Sequence, residues 1–480
     1  MTRQFLHLIV APVFVLVVWF PGTLPAGGIR VGVVGDQTGT TDLARSYRIL
    51  ARGVETLGKE RVDLVLHVGD LLESTRREEE IREDFSKAAA ILSSLHRPWY
   101  ITPGDHDVNP GDWVADSADR SREQLFRELL GPVVPPAANR LYYSFNHGGY
   151  HFVALNAMEH LHTDPRWGNV FLARISAEQL AWLKTDLERH RHAAGTIVFM
   201  HQPLWYNMAG WLPVHRVLRE HGVLAVLAGH FHYDQDDGVV DGIRYLVIGA
   251  TGASVKTASA DAGGMHQVAV LDLEGGTLRC RLLDAESGRE IRFTPRADAD
   301  RIQALDYTLG TLHGFAERHR VYLKDSRPVG DCATGTSAEM VLPALGNPID
   351  LPVRVEIDLA PGPFAFAAPR FEDGLCTGKS SAGRCTLPPG KGMAVSNVST
   401  ASFCFPICPG PDALRTAAIP GAARQAFWSA SVVPAAQHRP RPGDRVRFRV
   451  TLRFQGEQGE LSVFRDLESA PLAQCAAPSG

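Results

Sequence analysis

The stretch "TPGDHDVN", residues 102–109, sets two aspartates around a histidine directly after a Pro-Gly turn. It follows the apolar run "WYI", and the same arrangement recurs through the first half of the chain. "RVGVVGD" ends at Asp36, "VDLVLHVGD" at Asp70, "TIVFMH" at His201 and "VLAVLAGH" at His230. Short apolar runs bounded by turn residues read as buried strands, and five of them stop at an Asp or a His. In open α/β sheets ligands bind beyond the carboxyl ends of the strands, so five such ends point to one shared pocket. His232 joins His230 there, because residues two apart in an extended segment point the same way.

Helix signals lie between these strands. Asp42 opens a pattern running toward Leu57, and "RREEEIREDFSKAAAILSSL" forms a charged helix. Ser176 to Gln179 spells a capping box, with Ile175 and Leu180 spaced as a hydrophobic staple. Strands alternating with helices predict an α/β layered fold.

The chain as a whole sets bounds on that reading. Its 480 residues are enough for about two to three domains. A formal net charge of -4 and the lack of any basic run argue against a nucleic-acid partner. Arg3 followed by the apolar stretch Phe5 to Phe20 and a small residue, Ala26, reads as a signal peptide over residues 1–26. Export to a periplasmic or extracellular space is the expectation. No stable membrane span is expected, because the apolar stretch is short for one; an uncleaved anchor is the alternative. Seven cysteines suit an oxidising compartment. At least two disulfides are expected among Cys332, Cys376, Cys385, Cys404, Cys408 and Cys475, with Cys280 free. After about residue 295 the pattern changes to strict alternation, in "VRVEIDL" (353–359) and in "VRFRVTLRF" (446–454), which turns through "QGEQGE" into "LSVFRD". That period predicts half-exposed antiparallel strands. The predicted organisation is a signal peptide (1–26), an α/β domain (27–290), a connecting helical segment (291–325) and a Cys-containing all-β, sandwich-like domain (326–480).

The ordered set GD36, GD70, GD105-His106-Asp107, His201 and G-His230-Phe-His232 resembles the calcineurin-like metallophosphoesterases, which include purple acid phosphatases and cyclic-nucleotide phosphodiesterases. Their pattern is D-x-H, GD, GNH-D/E, H and GHxH. The resemblance covers roughly residues 29 to 285, and "YYSFNHGGYHFVALN" and "EQLAWLKTDLERH" fit it as well. It implies a layered β-sandwich flanked by helices, and a binuclear site. Asp70 would bridge two metal ions, Asp36 and His232 would hold the first, and Asp105, His201 and His230 the second. His106 would contact the phosphate or protonate the leaving oxygen, with Asp107 orienting it by accepting its ring N–H.

Two positions depart from the pattern. Thr38 stands where the family has a histidine ligand, and Asp105 where it more often has asparagine. Glu73, three residues after Asp70 where purple acid phosphatases carry a tyrosine ligand, reads equally as a substitute ligand or a solvated residue. Gln37, through its carbonyl, is the other substitute. The extra carboxylate shifts the expected ions toward manganese or iron, with zinc also open. Substrate contacts could come from His160, His162 and Arg166 in the loop 156–169, or from Trp205 and Tyr206 after His201. The resemblance thus implies an enzyme, a phosphatase or phosphodiesterase that hydrolyses a small phosphomonoester or phosphodiester by metal-bound hydroxide. The reading from another class is a catalytically degenerate member that binds a ligand or partner. Substrate identity and oligomeric state stay open at this level.

Overall fold

The structure, a computed structural model, describes residues 28–468 apart from 41, 74–75, 109–120, 160, 165–167, 172–174, 207, 256, 320–337, 344–346, 363, 372–383, 390–425 and 435–444. In chain order the first part runs β1 (Ile29–Val34), α1 (Leu43–Lys59), β2 (Leu64–His67), α2 (Glu78–Ser93), β3 (Trp99–Ile101), α3 (Asp105–Val108) and α4 (Ser121–Leu130). Then come β4 (Tyr143–His147), β5 (Tyr150–Ala154), β6 (Leu161–Asp164), β7 (Gly168–Phe171), α5 (Ala177–Arg189), β8 (Thr196–Phe199) and α6 (Met208–Arg219). They are followed by β9 (Val223–Ala228), β10 (Gln235–Val240), β11 (Ile243–Val247), β12 (Gln267–Glu274), β13 (Thr277–Asp284), β14 (Glu290–Ile291) and α7 (Arg296–His319).

Two six-stranded sheets form from these strands, in the orders β14-β13-β12-β1-β2-β3 and β10-β11-β9-β8-β5-β4. Each has a parallel part: β1-β2-β3 at one end of the first, β11-β9-β8-β5 in the middle of the second. Parallel strands are covered on both faces and carry continuous apolar runs, as "LVLH" and "TIVF" do, each residue of which is buried. One apolar core takes Val31, Val33 and Leu66 from the first sheet and Phe152, Phe199 and Val226 from the second, so the sheets pack as a layered sandwich. The expected α/β architecture is therefore present.

The helices form where local chemistry starts them. The Asp42 carboxylate accepts the Arg45 backbone N–H at 2.9 Å and caps α1. Ile49, Leu50, Gly53, Val54 and Leu57 then bury one face at helical spacing. At α5 the expected capping box forms only by half. Ser176 Oγ accepts the Gln179 N–H at 3.0 Å. The Gln179 side chain turns instead to Asn156, accepting its N–H at 2.8 Å and donating to its carbonyl at 3.0 Å. A buried loop with an unpaired peptide outcompetes an N-terminal N–H that water can reach.

The later strands are β15 (Ala338–Pro343), β16 (Val353–Leu359), β17 (Phe364–Phe371), β18 (Arg384–Leu387), β19 (Ala426–Pro434), β20 (Arg447–Gly456) and β21 (Gly459–Glu468). They make two further sheets, β18-β16-β20-β21 and β15-β19-β17, all antiparallel as the alternation predicts. Along β20, Phe448, Val450, Leu452 and Phe454 are buried, while Arg447 and Arg449 face outward against Glu468 and Asp466. The turn predicted over "QGEQGE" is shorter than expected: Gln455 pairs with Glu460 and Gly456 with Gly459, so the strands run almost to its tip. A second apolar core joins β16, β18, β20 and β21 to Ile302, Leu305 and Leu309 of α7. Among the described residues no helix is long and apolar enough to cross a membrane. The signal-peptide reading falls on residues 1–26, outside the described residues.

Candidate metal centre

The strand-end residues do converge. Asp36 and Asp70 lie just beyond β1 and β2, Asp105 starts the short helix after β3, and His201 and His230 follow β8 and β9. One potential ligand atom from each of Asp70, Asp105, His201 and His230 lies within 4.8 Å of the others, and the same holds for Asp36, Asp70 and His232. Asp70 belongs to both groups. The six residues that the sequence singles out as ligands are thus brought together in two sets that share one carboxylate.

Backbone strain marks the same place. Asp36, Asp70, His230 and His232 all have positive φ, at 47°, 60°, 78° and 59°. Only three other non-glycine residues do so among those described, Arg61, His96 and Asp241. Left-handed backbone costs an L-residue about 1–2 kcal/mol, and such strain concentrates at functional sites. The motif glycines have a steric reason. A Cβ on Gly104 would collide with the Asp70 carboxylate, and one on Gly229 with the Asp36 carboxylate.

The hydrogen bonds around the histidines set their ring orientation. His201 Nδ1 lies 2.8 Å from the Val68 carbonyl and His232 Nδ1 lies 2.7 Å from the Ser254 carbonyl. A carbonyl accepts only, so each Nδ1 carries the proton and each Nε2 presents its lone pair. For His201 that lone pair faces Asp105 Oδ1 at 2.9 Å, Asp70 Oδ2 at 3.3 Å and His230 Nδ1 at 3.1 Å. Lone pairs and carboxylates this close repel unless a proton or a cation lies between them. Burial opposes a charge on His201, but Asp70, Asp105 and Asp36 hold its pKa well above the ordinary value. Burial also pushes Asp36 up to about 8, with His201 opposing and Asp70 adding to it. These residues fit divalent ions: acceptors crowd together, and the ring N–H groups of His201 and His232 are tied to backbone carbonyls, as metal-ligating histidines arrange them.

Three expectations change. Asp107 does not orient His106. Its buried carboxylate accepts the backbone N–H groups of Asp70, Leu71, Leu72 and Gly104 at 2.8 to 2.9 Å. Those four donors saturate it and fix the turn that carries Asp70. The partner of His106 is Glu73, whose Oε1 lies 2.9 Å from Nδ1 while Oε2 accepts the Gly39 N–H at 3.0 Å. Glu73 is therefore neither solvated nor in either donor group. Burial works against a charged His106, but Asp70, Glu73 and Asp105 outweigh it and push its pKa up to about 10. Thr38 is no ligand either; its hydroxyl contacts the carbonyls of Leu72 at 2.8 Å and Asp70 at 3.1 Å. The Gln37 main-chain oxygen accepts the Ser46 hydroxyl and keeps a second lone pair.

The aromatic candidates divide. Trp205 is buried against Trp211 and Tyr245. Tyr206 donates to Asp237 at 2.9 Å and meets the ring of Phe231, between the two histidines of the last motif, at 5.3 Å. His160 and Arg166 lie outside the described residues, and His162 is placed only as a backbone position of β6. Cys280 is a free thiol, as expected. What sequence reasoning missed are the carbonyls of Val68 and Ser254, since a main-chain acceptor leaves no residue signature.

One other donor cluster exists among the described residues: His151, Asp186 and His190. The two imidazoles stack at 4.0 Å with 15° between their planes, so their lone pairs run parallel instead of converging. Asp186 already takes the Ser144 hydroxyl and His151 Nε2, both at 2.8 Å. The cluster pins α5 to β4 and β5.

Comparison with known proteins bears on the first site. Residues 29–234 match the family model described as calcineurin-like phosphoesterase. No curated protein matches the sequence. Similar solved structures include a dimetal phosphatase from Danio rerio, at 18% identity over 54% of this chain and 95% of that one, TM-score 0.39. Another is a purple acid phosphatase from yellow lupin (Lupinus luteus) seeds, at 15% identity over 58% of this chain and 56% of that one, TM-score 0.41. A third is the anchor protein of the inner membrane complex of Plasmodium, at 14% identity over 56% of this chain and 89% of that one, TM-score 0.36. Residues 29–234, which carry these motifs, are thus similar to the calcineurin-like phosphoesterases over less than half of the chain.

Proposed function

We propose that the protein is an exported hydrolase of phosphoric esters that works with two metal ions drawn from manganese, iron and zinc. The observation that carries this reading is the pair of donor groups sharing Asp70, with His106 beside them. Bound divalent ions would supply positive charge for the phosphoryl oxygens and lower the pKa of water. The chain's own residues do the rest. The His106 backbone N–H donates to Asp70 Oδ1 at 2.9 Å and sets the shared carboxylate, and the His230 N–H does the same for Asp36 at 2.9 Å. Glu73 holds Nδ1 of His106, which leaves Nε2 to face the space over Gly39 that His232 also borders. From there His106 can hand a proton to a departing alkoxide oxygen of a phosphomonoester or phosphodiester. Export is supported by the apolar segment 5–20 and by the six cysteines gathered in the last third of the sequence.

The test is to load the purified protein with manganese, zinc or iron and assay p-nitrophenyl phosphate and its bis ester. Turnover of at least one ester is expected. His106→Ala should keep its metal content and lose about 10²–10⁴ in rate, the usual contribution of a positioned acid. Bound metal with no turnover of either ester, for any ion, would sink the reading.

A further inference from the structure

The carbonyl that holds His232 belongs to a loop, and the later strands hold that loop from its other side. Residues 248–266 run between β11 and β12, a connection longer than most that lack a function. Its first part lies against the centre. The Thr251 N–H donates to the Gly35 carbonyl at 2.7 Å and the Ala253 N–H to the Asp36 carbonyl at 2.8 Å. The next residue, Ser254, offers the carbonyl that takes His232 Nδ1. Ser254 is exposed, so water competes for that bond and it stabilises little by itself. It keeps its place only if the loop is ordered from elsewhere.

That order comes from β21. Past Ser254 the loop forms a short 3-10 helix, Thr257–Ala262, which packs on β21. Ala262, only 4% exposed, enters the second apolar core with Leu305 of α7 and Val463 of β21. Ser462 Oγ of β21 donates to Asp261 Oδ2 at 2.5 Å. The strand is itself fixed to α7, because Arg465 pairs with Asp306 at 2.6 Å and the Glu457 N–H donates to the buried Asp298 carboxylate at 2.8 Å.

We infer that β21 and the helix Thr257–Ala262 position the metal centre: by pinning the loop they keep the Ser254 carbonyl on His232, so the antiparallel sheet sets ion affinity at Asp36, Asp70 and His232. Asp261 and Ala262 are then positioning residues. The inference rests on the phosphoesterase reading for its ions but not on turnover. Losing the partner that supports a metal-ligating histidine costs about 10–100-fold in metal affinity. The coupling is reciprocal: an ion at His232 tightens the hold of β21 on the loop by the same factor as that hold tightens the ion.

The experiment titrates the metal-free full chain with Mn(II) by calorimetry and follows amide hydrogen exchange. Ala262→Arg sets a charge into the junction with β21. It should speed exchange at the buried Ala253 amide and weaken, by about 10–100-fold, the Mn(II) step that His232→Ala removes. Arg449→Ala is the control, because that side chain faces outward to Asp466; both readouts should stay at wild-type values. In the wild type, Mn(II) should slow exchange at residues 257–262, and His232→Ala should reduce that slowing. If Ala262→Arg does not fold, this second measurement decides. Unchanged Mn(II) affinity in a folded Ala262→Arg would overturn the inference, whatever happens at Ala253. So would exchange at residues 257–262 that is indifferent to Mn(II). Absence of any Mn(II) binding by the wild type would reject the phosphoesterase reading, and the inference with it.

Discussion

Replacing Asp107 by alanine tests whether this residue is a scaffold and not a partner of His106. The substitution strips the acceptor from four backbone N–H groups, on Asp70, Leu71, Leu72 and Gly104. All four residues are buried. A buried donor left unsatisfied costs about 1–3 kcal/mol, so the plain sum is about 4–12 kcal/mol. Two effects reduce it. Water can enter the space vacated by the carboxylate, and the penalty for burying that charge is recovered. About 3–5 kcal/mol remains, the range for breaking a buried charged network. At roughly 2–4 °C per kcal/mol for a unit of about 200 residues, Tm should fall by about 6–20 °C. Asp107→Asn keeps one acceptor oxygen but turns an NH2 group against two of the donors, so it should fall between wild type and alanine. Thermal unfolding in the presence of a chelator measures the loss, and hydrogen exchange at residues 70–72 locates it. Wild-type stability in Asp107→Ala, or unchanged protection of those amides, would refute the reasoning.

Glu73→Gln should lower turnover about 10–100-fold with metal content intact, because Glu73 acts through His106. The Glu73→Gln/His106→Ala double variant should then be no slower than His106→Ala alone, and additive losses would show that Glu73 acts elsewhere. At the structural cluster, burial would raise the Asp186 carboxyl, but His151, Ser144 and His190 hold it below its ordinary 3.8. A depressed folded-state pKa gives stability that is present above the unfolded value and lost as pH falls through the folded one. Asp186→Asn should therefore cost about 1–3 kcal/mol at pH 7 by weakening the bond to His151, and flatten the loss of stability below about pH 4. Urea unfolding at the two pH values reads both, and an unchanged acid limb would refute the assignment.

Much of this protein is determined by local pattern. Apolar runs that stop at Asp36, Asp70, Asp105, His201 and His230 dictate buried parallel strands and place their ends on one side of the fold, because that follows from strand period and chain direction alone. The alternation of β16 and β20 likewise dictates antiparallel pairing. Other features depend on atoms distant in sequence. Gln179 abandons its capping box because Asn156, 23 positions away, presents a buried peptide. Asp107 yields its expected role to Glu73, because four main-chain N–H groups meet Asp107 whereas Glu73 reaches across 33 positions to His106. Main-chain donors and acceptors are the same at every residue, so sequence cannot say where they will gather. It determined which side chains would share the centre; only the tertiary structure decided which of them form the two donor groups, which hold the frame, and that the Thr38 hydroxyl turns to main-chain carbonyls.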